Sequence, residues 1–314
     1  MTTLELPLVG PAGEPIDLAR TIDSHGFSDL DPMRLDAEAS RLELTVSAGT
    51  SQGRARKSSP PRRIRISPGQ GRTAQLEILG PRIGARARTH VVTAARHVLR
   101  LDQDLSGFYA ATAVDPDLAW VASGAGRMLQ SPTAFEDVVK TVCTTNCSWG
   151  ATRRMVGALV SQLGTPALGG DGPSTNAFPT AGSMANAPER FYRDEVRAGY
   201  RGVYLIELAR RVAEGEVDLE ALATASPADL SDDELERTLI ELPGVGPYAA
   251  AHIMMTMGRN SRLILDSWTR PTYAKLMGRS KPVADATIQR RFRRYGDQAG
   301  LAFWLFLTRD WVQD

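Results

Sequence analysis

The sequence predicts an α+β fold, with an N-terminal antiparallel β-rich part followed by a larger, mostly helical part. Three segments near the start alternate polar and apolar residues as half-buried strands do: Arg41 to Val46, Arg63 to Ser67 and Thr73 to Leu79. From about residue 87 the apolar residues recur with a helical period almost to the end. With 314 residues, the chain is long enough to bury a substantial core.

The composition of the chain predicts a division into residues 1–86 and 87–314. Gly, Ser, Pro and Arg dominate a basic loop at 50–63, between the first two predicted strands. Such a loop either contacts a phosphate backbone or is simply solvated. A Gly- and Pro-rich stretch at 164–188 predicts a long linker inside the helical part.

The charge of the chain is nearly balanced, because 37 Lys and Arg face 36 Asp and Glu, and the net charge of +1 names no partner. The basic residues cluster in two runs, which either meet a polyanion or form solvated faces. The first run has Glu77 as its one acid and contains Arg54, Arg56, Lys57, Arg62, Arg63, Arg65, Arg72, Arg82, Arg86, Arg88, Arg96 and Arg100. The second contains Arg259, Arg262, Arg270, Lys275, Arg279, Lys281, Arg290, Arg291, Arg293 and Arg294.

The two cysteines, Cys143 and Cys147, are four residues apart, which places both on one face of a helix with poor geometry for a disulfide. We interpret them as core thiols, too few for a zinc or iron–sulfur site. The start of the chain lacks the pattern of a signal peptide, and no apolar stretch is long enough to span a bilayer. We therefore expect a cytoplasmic protein without membrane contact, associated with the nucleoid if it is bacterial.

Two helix starts are marked by capping residues. Ser131 as cap, with Pro132 in the first turn, predicts a helix over the following apolar residues. Ser231 with Glu234 three residues later forms a capping box before an amphipathic helix.

The stretch LPGVGPYAAAHIMM, residues 242–255, predicts a helix end near Glu241, a tight turn and a new helix at Pro247. Gly244 and Gly246 have no Cβ, so the backbone N–H groups of this turn can lie against a ligand, and phosphate is the natural one. The alternative is a tight turn between packed helices. Gly244 alone would satisfy that alternative, so the second glycine favours a close approach of bare backbone.

This hairpin and its apolar helix are followed by Asp266, twenty residues beyond Gly246. The combination resembles the helix-hairpin-helix (HhH-GPD) DNA glycosylase superfamily, which includes endonuclease III, the alkyladenine glycosylases and 8-oxoguanine glycosylase. The likeness covers residues 87–314 and, more weakly, the β-rich start. It implies a two-lobed helical core with the hairpin at 242–247, nearest to the alkyladenine and 8-oxoguanine branches.

The resemblance assigns roles to particular residues. It makes Asp266 the catalytic carboxylate, whereas its structural alternative is the N-cap of a helix over 267–277. It places Asn146, with Trp149, in the gap left by a flipped base, whereas such an Asn often only ends a helix. Contacts to the DNA backbone are implied for Leu242, Gly244, Val245, Gly246 and Tyr248. A base pocket is implied for Tyr248, Trp268 and Tyr273, rings that are otherwise core residues.

The chain departs from the family pattern at two places. Tyr248 occupies the position of the lysine that attacks the sugar in bifunctional members, so no amine is offered there for a Schiff base. The end of the chain lacks the four-cysteine cluster of endonuclease III, so we expect no iron–sulfur cluster. The resemblance implies no required cofactor and no metal held by side chains. It allows a monovalent cation on hairpin backbone carbonyls, at Leu242, Val245 or their neighbours.

We therefore predict a monomeric, monofunctional DNA N-glycosylase of base excision repair. Its partner is double-stranded DNA with a damaged purine, which must leave the stack before the glycosidic bond can be hydrolysed. Asn146 in its TTNCSW setting favours an oxidised purine, whereas Tyr248 favours an alkylated one. Two alternatives stay open: a non-catalytic helix-hairpin-helix DNA-binding protein, and an 8-oxoguanine-type glycosylase with weak lyase activity.

Overall fold

The computed structural model of the chain describes residues 2–46 and 60–312. Most of the predicted basic loop at 50–63, including Arg54, Arg56 and Lys57, lies outside the described residues. The described residues form a five-stranded antiparallel sheet and a larger helical part, which confirms the α+β prediction.

The sheet has the strand order β1-β5-β4-β3-β2 and every neighbouring pair is antiparallel. Its strands are β1 (Thr2–Pro7), β2 (Arg34–Asp36), β3 (Arg41–Val46), β4 (Arg62–Pro68) and β5 (Thr73–Ile78). The three strands predicted from alternation are β3, β4 and β5. The sequence analysis missed the two edge strands, because β2 has only three residues and β1 was considered only as a possible leader segment.

The register places apolar side chains on one face of the sheet. Leu44 pairs with Ile64, and Ile64 pairs with Ile78, so these buried residues lie side by side. They share a core with the first long helix, α2 (Ala85–Val98), through Val91 and Val98.

Thirteen α-helices are present among the described residues. They are α1 (Leu18–Ile22), α2, α3 (Ser106–Thr112), α4 (Ala134–Thr144), α5 (Trp149–Leu163), α6 (Ala181–Ala185), α7 (Arg201–Ala213), α8 (Leu219–Thr224), α9 (Asp232–Ile240), α10 (Pro247–Thr256), α11 (Thr269–Leu276), α12 (Asp285–Phe292) and α13 (Ala299–Thr308).

The helical part has two hydrophobic cores, and α10 separates them. Ala250 and Ile253 belong to the core built around α4, α5, α7 and α9. Ala251 and Met255 belong to the other core, built around α3, α12 and α13. A helix buried on both sides must be apolar all round, which explains why α10 carries no amphipathic pattern. Two lobes therefore meet at the helix that follows the glycine-rich turn.

The stretch at 164–188 is not a free linker, so that prediction was wrong. The backbone of Leu168 donates to Pro61 O and accepts from Arg63 N, at 2.9 and 3.0 Å. Thr175 O accepts a hydrogen bond from the hydroxyl of Thr45. The stretch packs against the sheet because its backbone finds partners there that the sequence does not indicate.

Of the two helix starts predicted from capping residues, one was wrong and one is confirmed. The N-cap of α4 is Thr133, whose hydroxyl accepts from Glu136 N at 3.2 Å, so the prediction of Ser131 was wrong by two residues. Ser131 instead receives a hydrogen bond from buried Lys140 and donates its N–H to Asp137. The capping box of Ser231 and Glu234 is confirmed.

Candidate active site

A cleft of about 1000 Å³ opens where the two lobes meet. Five of the residues that the sequence analysis singled out lie on its wall: Asn146, Trp149, Tyr248, Asp266 and Trp268. They come from three separate segments, namely the turn between α4 and α5 together with the first residue of α5, the first turn of α10, and the loop before α11.

Asp266 is held in place by the helix start that follows it. Its Oδ1 accepts from Trp268 N at 2.8 Å and from Thr269 N at 2.7 Å, and its own N–H donates to Thr269 Oγ1 at 2.8 Å. Asp266 thus accepts from the backbone N–H groups two and three residues on, as an N-cap does, but α11 begins at Thr269 and its N-cap is Trp268, so the alternative of a helix over 267–277 capped by Asp266 was wrong. Oδ2 forms no hydrogen bond to a described residue, so one oxygen of the half-buried carboxylate is left for a ligand.

Tryptophan rings form the wall beside Asp266. Trp268 lies 5.7 Å, centroid to centroid, from both Trp304 and Trp311, and the indole N–H of Trp304 donates to Ser24 O. Trp268 and Trp311 are 39% and 41% exposed, so their faces are open to a ligand. Trp304 and Trp311 were not predicted as site residues, since nothing in the sequence places the chain end next to residue 266.

Tyr248 lies where the cleft meets the hairpin, and it is half-buried. Its ring stacks on His252 with centroids 6.4 Å apart. Burial raises the pKa of the Tyr248 hydroxyl, and the negative charge of Asp266 adds to this rise. The residue at the place of the family's lysine is therefore a neutral aromatic ring beside the candidate carboxylate.

Tyr273 does not belong to the cleft, and its prediction as a base-pocket residue requires correction. Its side chain is 4% exposed, and its ring packs against Phe292, Phe303 and Phe306 in the core around α12 and α13. Tyr273 is on α11 but faces the core rather than the cleft, which is the alternative that aromatic residues at helical spacing usually follow.

The turn between α4 and α5 presents Asn146 in a left-handed conformation, with φ of 46°. Asparagine tolerates this conformation better than most residues. The side-chain amide donates to the hydroxyl of Tyr200 at 3.2 Å, and Arg201 donates to Thr145 in the same turn. Tyr200 is 53% exposed. The sequence analysis missed it, because its proximity to Asn146 arises only from the packing of α7 against α4.

Trp149 is anchored to the N-terminal segment of the chain. Its indole N–H donates to Asp29 Oδ2 at 3.1 Å, and its ring lies so close to Gly26 that a Cβ there would be 2.7 Å from it. Trp149 is therefore fixed as a wall of the cleft.

The hairpin turn offers backbone rather than side chains. Leu242 and Val245 are 3% and 6% exposed, so their side chains belong to the core, and Val245 N donates to Leu242 O at 3.1 Å. Gly244 needs to be glycine, since its φ is 81° and a Cβ would lie 3.1 Å from both Tyr204 and Val142.

Gly246 has no such structural need. Its backbone is extended, with φ of −106°, and a Cβ there would meet nothing within 4 Å. It precedes α10 without a side-chain cap, so the first N–H groups of the helix are left for an external acceptor. Open space at a glycine is consistent with the predicted approach of a ligand.

The charge of the cleft is simple. Among its described lining residues, Asp266 is the one Asp or Glu, and no Lys or Arg occurs. Burial lowers the pKa of His25 to about 4 and that of His252 to about 3, so both are neutral near pH 7. The nearest lysine to this region in sequence, Lys140, is fully buried and paired with Glu136 at 2.6 Å.

Many members of the two basic runs are paired with acids. In the sheet, Arg65 bridges Glu43 and Glu77 at 2.7 and 3.2 Å. In the helical part the pairs are Arg259 with Asp232, Arg262 with Glu236, Arg270 with Asp285, Arg291 with Asp117, and Arg294 with Asp115. Many of these arginines therefore form ion pairs within the protein, which the spacing of charges along the chain does not indicate.

Both cysteines are free thiols, with Cys143 buried and Cys147 on the cleft wall. Within 2–46 and 60–312, no group of three or more His, Cys, Asp or Glu is placed to hold a metal ion. None of the helices in these ranges has the length and apolar character needed to cross a membrane.

The comparisons with known proteins concern the fold as a whole. No protein-family model matches the sequence. An N-glycosylase/DNA lyase of Saccharomyces cerevisiae (strain ATCC 204508 / S288c) is 26% identical over 157 residues, which cover 48% of this chain and 42% of the yeast protein. The match thus spans less than half of that relative.

Solved structures match over the whole chain. The structure of MBOgg1 in complex with a low-affinity DNA ligand has a TM-score of 0.71 at 17% identity, covering 100% of this chain and 97% of the other. The 3-methyladenine DNA-glycosylase from Archaeoglobus fulgidus also has a TM-score of 0.71, at 18% identity and 100% coverage of both chains. The chain has the helix-hairpin-helix DNA glycosylase fold. Within this glycosylase fold the cleft is the candidate active site, and the turn at 242–247 is the hairpin.

Proposed function

We propose that this chain is a monofunctional DNA glycosylase that excises an alkylated, positively charged purine from double-stranded DNA. The base leaves the stack, enters the cleft, and is released by hydrolysis of its bond to deoxyribose. The fold supports the reaction class. The substrate follows from the chemistry of the cleft.

The observation that carries this proposal is the combination of aromatic walls with a single carboxylate. A purine nucleoside alkylated at N3 or N7 is a cation, and a cation is stabilised by the faces of aromatic rings and by a nearby negative charge. Trp149, Tyr248 and Trp268 supply rings, and Asp266 supplies the charge. No described Lys or Arg of the cleft opposes a cationic base.

The pKa values of three described residues of the cleft support the same choice. His25 and His252 have pKa values lowered to about 4 and about 3, and burial raises the pKa of Tyr248, so none of them is a good acid near pH 7. A neutral damaged purine leaves more readily when it is protonated. A cationic purine needs no such help, because it takes the electron pair of the broken C1′–N bond and leaves as a neutral base.

Asp266 acts on the sugar. As the bond breaks, positive charge develops on the deoxyribose, and a carboxylate beside it stabilises this state and orients the attacking water. The two backbone hydrogen bonds to Oδ1 fix the carboxylate, while Oδ2 stays available to the water or the sugar. Water adds to C1′ and its proton passes to Asp266 or solvent, leaving an abasic site.

The reaction ends at the abasic site, because no described residue of the cleft offers an amine to attack the sugar. Lysines occur at 57, 140, 275 and 281. Lys140, Lys275 and Lys281 lie within the described residues, and none of them lines the cleft. The hairpin backbone, from Leu242 to Tyr248, holds a DNA phosphate beside the cleft. A monovalent cation on the hairpin carbonyls is a compatible addition.

The test uses matched duplexes that differ in one base: 7-methylguanine, 8-oxoguanine or guanine. We expect the protein to release 7-methylguanine, with strand cleavage only after alkali and no adduct trapped by borohydride. Release of 8-oxoguanine with direct strand cleavage would favour the second candidate, an 8-oxoguanine glycosylase with lyase activity; the name of the yeast relative supports the lyase part of this alternative. Binding without release of any base would identify a non-catalytic DNA-binding protein.

A further inference from the structure

One side chain on the cleft wall has a ring nitrogen that forms no hydrogen bond to a described residue, and its role as donor or acceptor follows from its neighbours. His252 is on α10, one turn beyond Tyr248, and is 7% exposed on the cleft wall. The contacts of its two ring nitrogens show that only one of them is satisfied by a described residue.

The tautomer of His252 follows from its neighbour Thr141. The Thr141 hydroxyl lies 2.8 Å from Asp137 O and 3.3 Å from His252 Nδ1. A hydroxyl has a single proton, and a carbonyl oxygen can only accept, so the shorter contact takes that proton. Thr141 Oγ1 therefore accepts from His252, and Nδ1 carries the hydrogen. In a neutral imidazole this leaves Nε2 as an acceptor.

The ring stays neutral under ordinary conditions. Burial, and secondarily His25, lower the pKa of His252 to about 3. The ring of His25 packs edge-on against His252 at 5.8 Å. Nε2 of His252 forms no hydrogen bond to a described residue, and it is not among the enclosed polar atoms that lack a partner. It therefore faces the cleft, which this residue lines.

His25 provides an internal contrast. Its Nε2 lies 2.7 Å from Leu129 O and so donates to it, and its Nδ1 accepts from Phe27 N at 3.4 Å. Both nitrogens are used within the protein, although His25 also lines the cleft. Of the two histidines, His252 is thus the one with an atom to offer a ligand.

We propose that His252 Nε2 is a specificity determinant that accepts a hydrogen bond from the exocyclic amine of the base in the cleft. This inference rests on the proposed function for the identity of the ligand. An exocyclic amine is the donor that adenine and guanine share, on N6 and N2 respectively. Hypoxanthine has none. The cleft therefore selects amine-bearing alkylated purines over analogues that lack the amine.

The test compares duplexes with 7-methylguanine and 7-methylhypoxanthine, which carry the same positive charge and differ in the amine. Affinities are measured relative to undamaged duplex with Asp266→Asn protein, so that the base is not removed during the measurement. We expect tighter binding of the amine-bearing base by roughly tenfold, the effect of one net hydrogen bond in a partly enclosed site. Equal affinity for the two bases overturns the proposal.

Three further substitutions separate recognition from structure. His252→Phe keeps a ring but removes the acceptor, so the affinity ratio should fall to about one. His252→Gln restores a carbonyl acceptor, and part of the ratio should return. Thr141→Val removes the partner of Nδ1 without touching the cleft, and frees the other tautomer, so the ratio should fall while binding of 7-methylhypoxanthine is kept. A ratio that His252→Phe leaves intact overturns the proposal.

The measurement also distinguishes this inference from the proposed function. Wild-type protein that releases neither base, while the tenfold binding ratio persists, contradicts the glycosylase proposal and supports the role of His252. Wild-type protein that releases both bases from duplexes of equal affinity supports the glycosylase proposal and contradicts the role of His252.

Discussion

The cleft and the hairpin turn adjoin at Tyr248, yet they present opposite parts of the polypeptide. The cleft presents side chains, with rings on its walls, one carboxylate and one free imidazole nitrogen. The turn presents backbone, since the side chains of Leu242 and Val245 are buried and Gly246 has none. In the proposed function this difference corresponds to a division of work, in which we expect side chains to contact the base and the sugar and backbone to bind a phosphate common to every nucleotide.

The largest expected effect is on the chemical step. Asp266→Asn keeps the shape of the side chain and an oxygen for the caps at Trp268 and Thr269 but removes the negative charge. Loss of such electrostatic stabilisation should lower the single-turnover rate of base release by roughly a hundredfold to a thousandfold. Affinity for undamaged duplex, which we assign to the turn, should change little. If the variant loses affinity instead of rate, the division of work between cleft and turn is contradicted.

The next effect belongs to the turn. Gly246→Val suits the extended backbone, and its side chain would point into the open space where we place the phosphate. Blocking one charge-assisted contact should weaken duplex binding by roughly tenfold to a hundredfold. The single-turnover rate at saturating DNA should be unchanged. Thermal denaturation is the control, because valine instead of glycine as N-cap should cost only about 1 kcal/mol of stability.

A third prediction uses pH to examine the cleft floor. In the folded protein burial lowers the pKa of His252 from 6.5 to about 3. As the pH falls, the ring of His252 therefore binds a proton in the unfolded chain before it does so in the folded protein. The stability that the neutral ring contributes is present above about pH 6.5 and is lost as the pH falls. Relative to His252→Gln, the wild type should lose about 1.4 kcal/mol of unfolding free energy per pH unit between roughly pH 6 and pH 4.

This difference cancels the contributions of groups that both proteins share, including His25. Chemical denaturation of the two proteins across the same buffers measures it. A pH-independent difference would mean that the ring is hydrated or charged in the folded state, and Nε2 would then not be a fixed acceptor.

The smallest expected effect is a gain of function. Tyr248→Lys places an amine at the junction of cleft and turn, beside the sugar position that Asp266 faces. We expect a minor fraction of protein to become trapped on lesion DNA by borohydride, because an amine near C1′ forms a Schiff base with the abasic sugar. Tyr248→Met, which has similar length and no amine, is the matched control. Trapping by the wild type would contradict the monofunctional assignment.

The outcome of the sequence analysis depended on the distance over which each signal acts. Local signals were sufficient for the strands β3 to β5, for the capping box at Ser231 and for the hairpin, whose turn and helix start match the structure. They failed where a partner lies far along the chain. The resemblance implied that Tyr273 belongs to the base pocket, whereas the direction of its side chain places it in the core. Trp304 and Trp311 line the cleft, but they were missed because nothing in the sequence places them next to residue 266.

The charges show the same limit. Runs of arginine looked free along the sequence, but acids from other elements pair with many of them, as Asp117 does with Arg291. Buried His25 and His252 give no sequence signal of their altered pKa values, because burial is a property of the packed lobes.

By itself the sequence determined the α+β division, the glycine-rich hairpin and the isolated Asp266 beyond it, since each depends on residues close together in the chain and on backbone preferences that act locally. Only the tertiary structure decided which rings wall the cleft, which arginines are neutralised and which nitrogen of His252 is free. Those properties arise from contacts between segments up to hundreds of residues apart, such as the indole of Trp304 on Ser24. Packing, rather than periodicity, selects such partners.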